Sequence, residues 1–197
     1  MALKQGVAHL ATSHLLDVET GEYNFPDIRR VLPGYQVVVV NMAYRQQGLF
    51  VFPENPKKIK GINDLVRKDI RFINRQKGSG TRVLFDYLLQ KNHIQAEGIQ
   101  GYEQEEFTHL MVASAVANQR VDAGIGIYSA ARAFGLDFIP LIEERYDLII
   151  PEKYFHSEGI EKLLDTMRTQ RFKEQATALG GYDLSQCGEI IPNEKVN

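Results

Sequence analysis

The sequence has a single cysteine, Cys187. It therefore holds no internal disulfide framework and no Cys-pair zinc or redox motif. No apolar run approaches ~18 residues, the length a membrane-spanning helix needs. The opening residues, Met1-Ala2-Leu3-Lys4-Gln5-Gly6, lack a basic stretch followed by an apolar one, so no secretory signal is expected. Basic charge is not in excess either. The 25 acidic and 23 basic residues leave a formal net charge of −2, which excludes a histone-like or generally basic nucleic-acid binder. Charged residues make up 24% of the chain and hydrophobic ones 44%. That excludes a disordered acidic tail and supplies a real core. The histidines (His9, His14, His93, His109, His156) show no His-Glu-x-x-His spacing, so no metal-cation site is expected. There is no Gly-x-Ser-x-Gly elbow and no Cys/His nucleophile pair that chain order supports. Nothing in the residues demands catalysis.

What is present is an alternation of strand and helix periods, which argues for α/β layers in a chain of one or two domains. Ala2–Gln5 followed by Gly6 reads as the last turn of a helix with its terminator, and Val7–Ala11 as a buried strand. The chain thus starts as if in the middle of a helix–strand unit. A short helix follows Pro26. Gln36–Val40 and Leu49–Phe52 read as strands, the first apolar on both faces. Ile62–Val66 is a short helix and Ile70–Asn74 a strand. A helix follows Gly78–Arg82, with Leu84, Phe85, Leu88 and Leu89 on one face. A helix rich in Ala, Val and Met starts after Phe107-Thr108, and Asp122–Ile127 is a glycine-bearing strand. Ala130–Phe134 is a helix, Phe138–Ile142 and Asp147–Ile150 are strands, and two helices follow Ser157 and Thr169.

Charge is unevenly spread. From Lys57 to Arg82 there are nine basic residues against Asp64 and Asp69. A solvated face explains this run. An electropositive lobe that attracts a small anion explains it too. Within the run, Gly78-Ser79-Gly80-Thr81-Arg82 lies between a strand and a helix. There the first backbone N–H groups of the helix lack partners and the helix dipole favours negative charge. The segment reads either as an anion cradle or as an ordinary Ser cap after a Gly turn. It is not a Walker motif, and neither it nor Gly124–Ser129 completes a dinucleotide fingerprint. Thr108-His109 opens a second helix in the same way. Tyr128 stands at the carboxyl end of a strand, where a hydroxyl can reach a ligand. His14 follows the first strand, and could face the same ligand or simply the surface.

Several segments resemble a known family: Arg71–Arg82, Gly21-Glu22-Tyr23-Asn24, Arg45-Gln46-Gln47-Gly48-Leu49, Glu106-Phe107-Thr108-His109 and Asp122-Ala123-Gly124. The chain is similar to the periplasmic-binding-protein-like domain related to molybdate-binding proteins. In that family the domain is often fused to helix-turn-helix regulators or to molybdopterin biosynthesis proteins. The resemblance runs from about Leu3 to Ile150 and more loosely to the end. It implies a two-lobed type II periplasmic-binding-protein-like α/β fold with the ligand in the cleft. One lobe would comprise 1–52 and 146–197, the other 53–145. The family's N-terminal strand and helix are missing before Met1, which agrees with the mid-helix start.

Carried over by position, Ser79, Gly80, Thr81 and Arg82 would line the ligand site, as would Thr108 from the next helix start. Tyr128 stands where molybdate-binding proteins place a tyrosine on the oxyanion. Arg45 and His14 would approach from the first lobe. The implied function is non-catalytic binding of a small oxyanion, molybdate or tungstate first, with no other cofactor. The alternatives are the effector domain of a transcriptional regulator binding a small organic anion, and an accessory domain in molybdenum-cofactor synthesis. Expected partners are the oxyanion, a fused or associated DNA-binding or molybdopterin-synthesis domain, and a second copy of the chain. Self-association would run through an open edge beside Val7–Ala11 or Val37–Val40. The absent signal points to the cytoplasm, and leaves the periplasm open for a longer chain.

Overall fold

The computed structural model describes residues 2–192, a mixed α/β fold. In chain order, β1 (Ala11–Ser13), α1 (Phe25–Val31), β2 (Val37–Val51), β3 (Phe72–Arg75), α2 (Gly80–Lys91), β4 (Glu105–Glu106) and α3 (His109–Ala117) come first. Then follow β5 (Ala123–Ile127), α4 (Tyr128–Ala133), β6 (Asp137–Pro151), α5 (Glu152–Phe155), α6 (Glu158–Arg168), α7 (Gln170–Leu179) and β7 (Tyr182–Asp183). The chain divides into two compact units, Met1–Tyr44 with Glu144–Asn197, and Arg45–Glu143. Both divisions fall inside strands, at 44/45 in β2 and 143/144 in β6, where the family resemblance implies 52/53 and 145/146.

β2 and β6 are each one continuous strand of 15 residues, where the apolar pattern breaks each into two. The break in the pattern comes from polar residues such as Asn41 and Arg145. In the first unit both donate to one buried carboxylate, while Asn41 Oδ1 has no partner among the described residues. Asn41 Nδ2 donates to Asp147 Oδ1 at 3.1 Å, and Arg145 Nε donates to Asp147 Oδ2 at 2.8 Å. A strand carries buried polar side chains when they satisfy one another, and hydrophobic periodicity alone does not register this.

In the first unit, Ala2–Gly6 form a hydrogen-bonded turn. Gly6 N–H donates to Leu3 O at 3.1 Å, and Gly6 adopts φ 70°. The buried strand expected over Val7–Ala11 is not there. Val7 is 75% exposed, and β1 pairs with β6 only from Ala11, which faces Ile149. Pro26 sits in the first turn of α1, where its missing N–H costs nothing. β6 lies between β1 and β2 in the strand order. The other edge of β2 is covered by the chain's own C-terminal segment. β7 pairs with β2, Val40 bridges to Ile190, and Ile191 N–H donates to Val39 O at 2.8 Å. Val37–Val40 is therefore not an open edge, which corrects the expectation of self-association through it. Ile160, Leu164 and Met167 of α6 pack beneath, with Val40, Leu148 and Ile150.

In the second unit the strand order is β2-β5-β3-β4. β3 runs parallel to both β4 and β5, and β2 is antiparallel to β5 with Gln47 opposite Ile127. Phe50, Ile73, Val112, Val116 and Ala131 form one core. The glycines of β5 let α3 pack close. A Cβ at Gly124 would lie 2.5 Å from Val112 Cγ1, and one at Gly126 would lie 2.9 Å from His109 Nδ1. This packing is the reason for the Gly124-Ile125-Gly126 spacing, rather than nucleotide binding. Because β3, β4 and β5 share one direction, the residues that follow all three emerge at the same end of the sheet. That end is where ligands bind in open α/β folds.

Candidate functional site

Two helix starts and one strand end share this carboxyl end of the second unit. After β3 the chain turns at Gly78, which adopts φ 83°, a left-handed conformation that glycine takes without strain. Ser79 then caps α2, its Oγ accepting the Arg82 N–H at 3.2 Å. After β4, Thr108 caps α3, its Oγ1 accepting the Met111 N–H at 3.1 Å. In each case the capping oxygen is used as an acceptor, which leaves the hydroxyl proton available as a donor. The N–H groups of Gly80, Thr81 and Leu110 have no acceptor among the described residues. The Arg75 guanidinium ties the two loops together, with Nη2 donating to Phe107 O at 2.9 Å and Nε to Glu106 O at 3.3 Å.

Thr81 is buried, and its Oγ1 accepts from Gln47 Nε2 at 3.0 Å. Tyr128 follows β5 directly. Its ring meets Phe138 edge-on at 5.2 Å, and its hydroxyl makes no hydrogen bond among the described residues. Arg45 is buried on β2 of the same unit, two residues from Gln47 and on the same strand face.

Arg82 is placed differently. Its guanidinium is buried over the Tyr102 ring, 4.1 Å from the centroid, and Nε donates to Asp86 Oδ1 at 3.1 Å. Burial disfavours its charge, but the Tyr102 and Asp86 contacts outweigh this and hold it above the usual arginine range. Burial likewise pushes the Tyr102 hydroxyl up, and its hydrogen bond to Asp86 adds to the shift. Arg82 thus spends its charge inside the unit. What the start of α2 offers an anion is backbone and hydroxyl donors.

Five of the nine basic residues of the run pair with acids, two of the five pairs falling within it and sharing Asp69. Arg67 pairs with Asp69, Lys57 with Asp69, Arg71 with Asp122, Lys77 with Glu103 and Arg82 with Asp86. Asp86, Glu103 and Asp122 lie beyond the run in sequence, so counting charges along the chain misses them.

His14 belongs to the first unit and is treated there. Its Nδ1 lies 2.9 Å from Glu144 Oε1, with the Glu144 side chain almost fully buried. Its ring is 5.5 Å from that of Tyr146. Nearby on the same strand, Asp147 is fully buried and also accepts from Asn24 Nδ2 at 2.8 Å. Asn24 holds φ 68° at the start of α1, with its Oδ1 accepting from Leu15 N–H at 2.8 Å.

Sequence reasoning missed Gln47, His109 as a packing partner, and the Asp147 cluster. The first had a signal, since Arg45 and Gln47 are two apart and share a strand face. The cluster had none, since Asn24, Asn41 and Asp147 are far apart in the chain. No group of His, Cys, Asp or Glu that could hold a metal ion occurs among the described residues. No described helix is long and apolar enough to cross a membrane.

Residues 1–168 match the family described as the PBP superfamily domain. The chain is 38% identical over 187 residues to the uncharacterized protein YvgK of Bacillus subtilis (strain 168), covering 95% of this chain. It spans 60% of that relative's length. Among solved structures it is similar to a Clostridium perfringens substrate-binding protein with bound phosphate. The TM-score is 0.62 at 14% identity, over 90% of this chain and 80% of that one. It is also similar to the regulatory domain of Synechocystis PCC6803 CcmR in complex with 2-PG. There the TM-score is 0.61 at 14% identity, over 84% and 74% of the two chains. At these identities the likeness is one of fold.

Proposed function

The chain belongs to the PBP superfamily domain, and on that premise we propose that it binds a small oxyanion, without catalysis, at the carboxyl end of the second unit's parallel strands. One observation carries the reading. The Ser79 cap of α2, the Thr108 cap of α3 and the Tyr128 hydroxyl all follow parallel strands that end on one side of the sheet. The donors are neutral, and helix dipoles supply the positive end. This suits an anion that must be bound reversibly. Two proteins of like fold, a substrate-binding protein with bound phosphate and a regulatory domain in complex with 2-PG, support the ligand class.

Molybdate and tungstate are the first anions to test, alongside sulfate and phosphate. A ligand that binds only the folded state raises apparent stability by ~2.7 kcal/mol at a hundredfold excess over Kd. The experiment is a thermal-shift series with these four anions on the wild type and on Gly80→Glu, which puts bulk and like charge at the α2 start. A shift in the wild type that disappears in a folded Gly80→Glu protein supports the site. Equal shifts in both overturn it.

A second reading makes the domain the effector part of a transcriptional regulator. The CcmR regulatory domain of like fold favours it, and the same donors would serve. Anion-responsive DNA binding by the protein tests it.

A further inference from the structure

The first turn of α3 carries a feature that anion binding alone does not require. Phe107 is 67% exposed, Leu110 53% and Met111 43%. The second unit has five large apolar side chains so exposed, with Val66 and Phe134 the other two. Three of the five thus fall within five consecutive positions, on either side of Thr108. They are not needed by the core, which α3 serves with Val112, Ala113, Ala115 and Val116. Nor is the segment loose. The Phe107 carbonyl is held by Arg75 Nη2 at 2.9 Å, and Thr108 caps the helix.

The direction of these side chains follows from helix geometry. Every Cα–Cβ bond of an α-helix tilts toward its N-terminus. Leu110 and Met111 occupy the second and third positions of α3, so they lean over the end where the Thr108 hydroxyl and the Leu110 N–H are offered. Phe107 precedes the cap and joins them. The donors of this helix start are therefore flanked along the chain by a collar of three exposed apolar side chains. A bare tetrahedral oxyanion carries its charge on every face and gains nothing from such a collar. An oxyanion attached to a carbon body would cover it and remove the apolar surface from water.

We infer that the ligand is an organic oxyanion, with a carboxylate, phosphate or sulfonate head on the helix starts and an apolar body against Phe107, Leu110 and Met111. The inference rests on the proposed site and narrows its ligand class. Molybdate and tungstate then report on the head alone.

The test is isothermal titration calorimetry with three probes that share a head: inorganic phosphate, methylphosphonate and phenylphosphonate. Affinity rises along this series, with phenylphosphonate at least tenfold tighter than phosphate. Phe107→Ser and Met111→Gln, both at exposed positions that leave Thr108 in place, shrink that ratio to below threefold and leave phosphate affinity unchanged. Equal affinity for phosphate and phenylphosphonate overturns the collar and leaves the anion site standing. A ratio unmoved by the two variants overturns it as well. Variants that change only the mass seen by light scattering assign the collar to contacts between copies, and also overturn it. No heat with any probe or with molybdate removes the anion site itself.

Discussion

Gln47 Nε2 donates to Thr81 Oγ1 across 3.0 Å, joining β2 to the first turn of α2 within the second unit. Both residues are buried, so the bond fixes where the α2 start sits against the sheet. Thr81→Val keeps the shape and removes the acceptor, which costs about 1–3 kcal/mol for the donor left behind. Gln47→Leu combined with Thr81→Val removes both partners, and its loss is smaller than the sum of the two single losses. Urea unfolding of the three variants measures this. Additive losses would show that the pair does not interact.

Tyr128→Phe separates binding from folding. The ring packs on Phe138, and the hydroxyl makes no hydrogen bond among the described residues. Stability therefore stays within about 0.5 kcal/mol. If the hydroxyl donates to a bound anion, affinity falls by ~1.5–3 kcal/mol, the range for hydrogen bonds to charged groups. An affinity change under threefold removes Tyr128 from the site.

These two residues also mark the limits of the sequence. The Gly78–Arg82 turn and helix cap were legible because their cues are local: a glycine for a left-handed turn, a capping serine, and a helix period after them. The strands β3 and β5 and the helices after them were legible from strand–helix alternation, but the two-residue strand β4 at Glu105–Glu106 is too short to leave a periodic signal. The Gln47–Thr81 bond was not legible, since it joins residues 34 positions apart. For the same reason the stacking of Arg82 on Tyr102 was not legible. Tyr102 is brought to Arg82 by folding, and only Asp86 lies within one helical turn. The two long strands were cut short because burial of Asn41 and Asp147 depends on a pairing 106 residues apart.

Gly126→Ala tests the close approach of α3 to β5. The added Cβ would lie 2.4 Å from Phe50 Cζ and 2.9 Å from His109 Nδ1. Both neighbours are ring atoms held in the packed unit, so the helix start must shift. Overpacking of this kind costs about 1–3 kcal/mol. The variant lowers the urea midpoint and weakens anion binding, because Thr108 moves with His109. Unchanged anion affinity in a destabilised variant would detach the α3 start from the site.

Asp122 gives the second unit a pH dependence. Burial pushes its carboxyl up, but the hydrogen bonds and charge of Arg71 outweigh this and hold it below the usual carboxylate range. Arg71 donates to it from the backbone N–H at 2.8 Å and from Nε at 3.0 Å. A carboxyl depressed in the folded state stabilises it above the ordinary carboxylate value. That contribution fades as pH falls through about 4 and below. With the Arg71 side chain 48% exposed, its size stays under about 1 kcal/mol. Asp122→Asn therefore loses stability against the wild type at pH 7, and the gap narrows at pH 3. A gap of the same size at both pH values would show that the charge of Asp122 plays no part.

The C-terminal segment is what keeps β2 from being an open edge in the first unit. Asn41 N–H donates to Glu189 O at 2.9 Å and Ile191 N–H donates to Val39 O at 2.8 Å. Ile191 also packs with Val39, Phe25 and Leu32. Ending the chain after Gly188 removes these partners but keeps Leu184 and Cys187, which belong to the core under α6. The exposed row then starts at Val37 with four consecutive valines and no charge or proline to blunt it. We expect the shortened chain to keep its far-ultraviolet circular dichroism and to self-associate with rising concentration in light scattering, more than the full chain does. Gln36→Lys in the shortened chain, at the exposed residue that precedes this row, suppresses the association by placing charge beside the edge. Should the shortened and full chains scatter alike across the same concentrations, the segment is not an edge cover, and its contacts with β2 serve stability alone.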